Sequence, residues 1–161
     1  MSIQERVKNA AVQVLIELPA KRRTFEEMAQ KLVVSGQRLE ERLVKAEGTP
    51  EQKRTLRHIV GIERWGQRRL WLAVRYGGES ADDAFSDAHH AHKPADAATW
   101  DELIAEFRAT RQETVNLARY LAETNIDQRT RVPHNDLGPL SLRGWLRYLQ
   151  THATLEGRKI R

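Results

Sequence analysis

Three times the chain writes the same opening: Thr24-Phe25-Glu26-Glu27, Thr49-Pro50-Glu51-Gln52 and Thr99-Trp100-Asp101-Glu102. In each, a threonine hydroxyl is placed to accept from the backbone N–H three residues on, and the acid or amide there can reach back to the threonine's own N–H. Only a helix start leaves those donors without backbone partners, so the pattern dictates a helical chain. The first opening predicts a helix from Thr24 to about Lys45, with Gly48 beyond its end. The second has Pro50 at the first helical position, where its missing N–H costs nothing, and predicts a helix to about Tyr76, stopped by Gly77-Gly78. The third reaches about Glu123, and Ser141 caps a last helix. A leading helix of about Gln4 to Leu18 is expected to end at Pro19.

Strand-like alternation is nearly absent. The stretch ESADDAFSDAHHAHKPADAA, residues 79 to 98, has no helical stripe and predicts a long exposed connection. A second loop, NIDQRTRVPHNDLGPL, carries Pro133, Gly138 and Pro139. The expected fold is therefore all-α: one domain over residues 1 to 161, an antiparallel four-helix bundle with an additional N-terminal helix and a core of about 24 to 160.

Composition narrows the chemistry. The 161 residues include no cysteine, which excludes disulfides, thiolate zinc sites and a thiolate nucleophile, so any metal must use His, Asp or Glu. The net charge of +5 permits contact with anions, but Lys and Arg alternate with Asp and Glu and no nucleic-acid motif accompanies them, so nucleic acid is not an expected partner. No apolar run approaches membrane-span length, and the start MSIQERVKNAAVQ lacks a secretory signal pattern. A soluble cytoplasmic protein is expected.

The informative anomaly is polar. On a helical wheel, Leu142, Trp145, Tyr148, Leu149, His152 and Ile160 of the last helix share one arc, and Glu156 lies inside it. The spacing of four sets His152 and Glu156 side by side. The helix after Thr49 repeats the break: His58, with Glu63 and Arg69, lies in the arc of Leu56, Ile59, Ile62, Trp65 and Leu70. Arg57, Arg64, Gln67, Arg68 and Arg75 fall opposite, as a solvated face. Two inward histidines and a carboxylate form a candidate ligand set of His58, His152 and Glu156, because facing helices of a bundle can converge ligands. The plainer alternative is a core histidine bonded to a carbonyl, with Lys159 or Arg69 neutralising Glu156 or Glu63.

The segments LRHIVGIERWGQRRL, residues 56 to 70, and HNDLGPLSLRGWLRYLQTHATLEGRKI, residues 134 to 160, resemble the DinB superfamily. These are four-helix bundles that include bacterial DNA-damage-inducible proteins and metal-dependent thiol transferases. The resemblance implies one divalent metal held by a histidine of the second helix and two of the last in an HxxxH pattern, followed by a glutamine. His58 and His152 match the first two ligands; Glu156 stands at the third, and Lys159 where the glutamine is common. Two histidines and a carboxylate suit zinc, nickel, iron or manganese. Glu63, Arg69 and Lys159 are expected around the ligands, and Arg69, Arg129 and Arg131 either orient an anionic group or form a solvated basic face.

The implied activity is that of a stress-associated metal-dependent transferase or hydrolase, with a low-molecular-weight thiol or an electrophilic small molecule as partner. The competing expectation is a non-catalytic helical dimer whose decayed site is a salt bridge among His152, Glu156 and Lys159, acting through a partner in the stress response. A homodimer is expected in either case, from the resemblance and from Val60 and Trp71 on the charged side of their helix. The histidines of HHAH (His89, His90, His92) are expected in solvent, with adventitious metal uptake as the alternative, and His134 in a turn or helix approach.

Overall fold

The computed structural model describes residues 10 to 76 and 87 to 161. Its backbone is mostly helical. A π-helical segment Gln13–Glu17 runs into α1 (Leu18–Lys21), followed by α2 (Phe25–Leu43), α3 (Pro50–Tyr76), a 3-10 helix (His89–His92), α4 (Trp100–Glu123), strands β1 (Arg131–Val132) and β2 (Leu140–Ser141), and α5 (Leu142–Gly157).

All three threonine openings cap as their sequence requires. The Thr24 hydroxyl accepts from the Glu27 N–H at 3.1 Å, while the Thr24 N–H donates to the Glu27 carboxylate at 2.7 Å. Thr49 with Gln52, and Thr99 with Glu102, repeat the exchange. The Ser141 hydroxyl accepts from the Gly144 N–H at the start of α5. Each such cap contributes about 1 kcal/mol and fixes where the chain enters its helix.

The apolar stripes of α2 to α5 close over two cores. One gathers Met28, Leu32, Trp65, Leu70, Trp145 and Leu149, and the other gathers Leu43, Leu56, Ile59, Val60, Leu103 and Phe107. Both α2 and α3 pack against both α4 and α5. Gly66 of α3 faces the Leu149 side chain so closely that a Cβ there would stand 2.6 Å from a methyl, so α3 and α5 come together along this line. That approach sets the distance between the histidines these helices carry.

Four expectations need correction. Pro19 does not stop the leading helix: helical backbone continues to Lys21, because Pro19 enters at the second position of α1, just after the π segment shifts the bonding register. Glu17 of that segment is buried, and its carboxylate accepts from the Ser141 N–H and hydroxyl, each at 2.8 Å, tying the chain's beginning to the start of α5. The loop before α5 is not wholly irregular, for Arg131 pairs with Ser141 and Val132 with Leu140 in a short antiparallel ladder. Of the expected exposed connection, residues 79 to 86 lie outside the described residues, but the rest is docked: its 3-10 helix packs on α3. Finally, the supposed solvated side of α3 is partly covered. Gln67 is buried and donates to the Thr110 carbonyl and Thr114 hydroxyl, and Val60 is fully buried. A helix with neighbours on three sides has no single dry stripe, which a wheel assumes.

Candidate metal centre

His58 of α3 and His152 of α5 meet with their Nε2 atoms 3.1 Å apart and their rings at 66°. Both are half-buried. The contact requires one ring to carry its proton on Nε2 and the other to leave Nε2 bare. Burial lowers the pKa of His152 to about 4, aided by His58, with Glu156 opposing. Burial and the neighbouring His89 likewise lower His58. At neutral pH the pair is therefore uncharged, the form in which imidazole binds metals.

Glu156, one turn beyond His152, is engaged elsewhere. Lys159 donates to both of its carboxylate oxygens at 2.8 Å. Burial opposes its ionisation, but this bond, the lysine charge and the two histidines hold its carboxyl below the usual range. The structure thus joins His58 to His152 and Glu156 to Lys159. Among the described residues, no three or more His, Asp and Glu side chains form a ready-made metal-binding group.

The sequence reading placed His89 in solvent, whereas it is half-buried. Its ring stands edge-on to His58 at a centroid distance of 5.3 Å, and burial and Lys93 lower its pKa. The 3-10 helix comes this close because position 61 is glycine: a Cβ there would lie 2.7 Å from the Lys93 side chain and 3.3 Å from the His89 carbonyl. That glycine in the middle of α3, opposite a histidine-rich loop, was the available signal.

Arg69 holds this segment in place. Fully buried, it donates to the Asp87 carbonyl at 3.0 Å, the Pro133 carbonyl at 2.8 Å and the Asn135 side chain at 2.9 Å, with its guanidinium 4.6 Å from the Trp65 ring centroid. Trp65 donates to the same Asp87 carbonyl, and the Asp87 carboxylate contacts His92 at 2.6 Å. Arg57 donates to the Pro94 carbonyl and pairs with Asp96. So Arg69 braces the histidine segment.

Glu63 lies on another side of α3, bonded to Arg111 at 2.8 Å and to the Thr114 hydroxyl at 2.6 Å, both from α4. His134 sits in a turn. Its Nδ1 accepts from the N–H groups of Asp136 and Leu137, and its ring packs against Trp65, Trp145 and Tyr148. Tyr148 links this cluster to His152 at 5.8 Å, and burial, with Asp136 and Glu156, raises its phenol to about 12. Arg129 is exposed and pairs with Asp127, while Arg131 approaches Glu17.

The spacing of the histidine pair is that of an N–H···N hydrogen bond, and it also falls within the range of two imidazoles sharing an ion. Two imidazoles bound to one ion at about 2.0 to 2.1 Å hold their nitrogens roughly 3.0 to 3.4 Å apart and their ring centroids roughly 5 Å apart. The observed separations are 3.1 Å and 4.9 Å. No family model matches the chain, and neither a curated protein nor a solved structure matches it.

Proposed function

We propose that this protein is a DinB-like four-helix bundle whose His58 and His152 bind one divalent metal, and that it acts as a metal-dependent hydrolase or transferase on a small molecule. The observation that carries the reading is the 3.1 Å approach of two Nε2 atoms from different helices, both neutral and half-buried, at the spacing of ligands on a common ion. A bound ion would supply Lewis acidity to a water molecule or a small thiol. The chain's own part is placement. Tyr148 remains a protonated phenol at neutral pH and borders His152, and the Glu156–Lys159 pair lies one turn further along α5.

A second reading draws on that same pair. With Lys159 occupying both oxygens of Glu156, the third family ligand is withdrawn, which suits a non-catalytic bundle acting through a partner in a stress response. A homodimer belongs to either reading. Burial of Val60 removes one half of the apolar argument for it, leaving the exposed Trp71, whose ring lies tilted against Tyr120 at 5.1 Å. Zinc titration followed by the imidazole proton resonances separates the two readings. The metal reading expects the His58 and His152 signals to shift together and saturate at one equivalent. Unchanged signals at tenfold excess zinc favour the non-catalytic one.

A further inference from the structure

The geometry points to His89 as the third protein ligand of this centre, taking the place that Glu156 has given to Lys159. The inference rests on the metal reading of His58 and His152 and adds to it a donor from a different element, the 3-10 helix before α4.

Three observations support it. The ring contacts run from His89 to His58 to His152, with centroid distances of 5.3 Å and 4.9 Å, both near the roughly 5 Å that imidazoles on one ion require. His89 is edge-on to His58, and ligation asks its side chain to turn so that a ring nitrogen meets the Nε2 pair. The backbone beneath it is fixed from both ends. Arg69 and Trp65 hold the Asp87 carbonyl two residues before it, and Arg57 holds the Pro94 carbonyl five residues after it. A fully buried arginine that braces a surface segment carries a desolvation penalty, and a ligand-bearing segment gives that bracing a function.

Glu156 is the competing donor. Its two oxygens each accept from Lys159 at 2.8 Å, so ligation by Glu156 must break that pair, whereas ligation by His89 leaves it intact. A ligand set of three neutral imidazoles also keeps the full charge of the ion on the open position, where a carboxylate would cancel part of it.

The test counts nitrogens and compares two variants of the full chain. X-ray absorption of the zinc-loaded wild type should fit three imidazoles and no protein carboxylate. His89→Ala should weaken zinc binding by roughly 100-fold and drop the count to two, while Glu156→Gln should stay within about twofold of wild type. Circular dichroism and a melting curve on His89→Ala separate ligand loss from unfolding, and the wild-type count needs no variant. Two imidazoles plus a carboxylate, with Glu156→Gln losing the metal and His89→Ala keeping it, overturns the role of His89 but leaves the His58–His152 reading standing. Absence of zinc binding by the wild type overturns both.

Discussion

Lys159 closes a two-pronged bond on Glu156, with its ammonium 2.8 Å from each carboxylate oxygen, one turn after the histidine that faces His58. The pair keeps both Glu156 oxygens occupied. Glu156→His removes the carboxylate and sets an imidazole at the (i, i+4) position from His152. Zinc affinity should rise by about tenfold or more, read by competition with a chromogenic chelator. Equal or weaker affinity shows that position 156 does not face the ion.

Arg69 carries a different expectation. Arg69→Met keeps bulk but deletes the donors to the Asp87 and Pro133 carbonyls and the Asn135 side chain, while Trp65 still donates to the Asp87 carbonyl. The loss should be about 2 to 4 kcal/mol by urea unfolding. Zinc affinity should fall as well, since the histidine segment loses its brace. A loss below about 0.5 kcal/mol contradicts the clasp.

Glu63→Ala should also destabilise, by about 3 to 5 kcal/mol, because it strands the Arg111 charge in a buried site. Zinc affinity of the folded fraction should not change, since Glu63 bonds to Arg111 and Thr114 on the α4 side. A large drop in affinity would place Glu63 among the groups that shape the centre.

The helices were legible because caps are local. A threonine and a residue three positions later carry all the information that starts a helix, and each of the three openings forms its cap. His58 and His152 were legible because polar residues inside an apolar arc are few. Three things were not. A wheel assigns one dry side, so it misplaced Gln67 and Val60 on a helix with several neighbours. The docking of His89 depends on Gly61 and on Arg69, residues far from it in sequence, and no window along the chain relates them. The partner of Glu156 was ambiguous, because Lys159 three residues on and a shared ion are equally consistent with the spacing.

Acid should weaken the metal-free protein through the histidine pair. His152 has its folded pKa lowered to about 4 from 6.5, and His58 shifts the same way, so the unfolded chain binds protons first as pH falls. The stability these neutral rings carry is whole above about pH 6.5 and is lost as pH drops toward 4, a change of a few kcal/mol. Urea midpoints between pH 7.5 and 4.5 should therefore fall more steeply for wild type than for a His58→Ala, His152→Ala double variant. Parallel slopes show that the pair titrates as it does in the unfolded chain.

The most direct test of the metal centre is equilibrium dialysis of the purified wild type, His58→Ala and His152→Ala against zinc at pH 7.5, with bound metal measured by elemental analysis. The wild type should retain one equivalent and each single variant less than a tenth of that, with helical circular dichroism preserved. Retention by the variants equal to wild type, or a wild type that retains none, contradicts a metal held between His58 and His152.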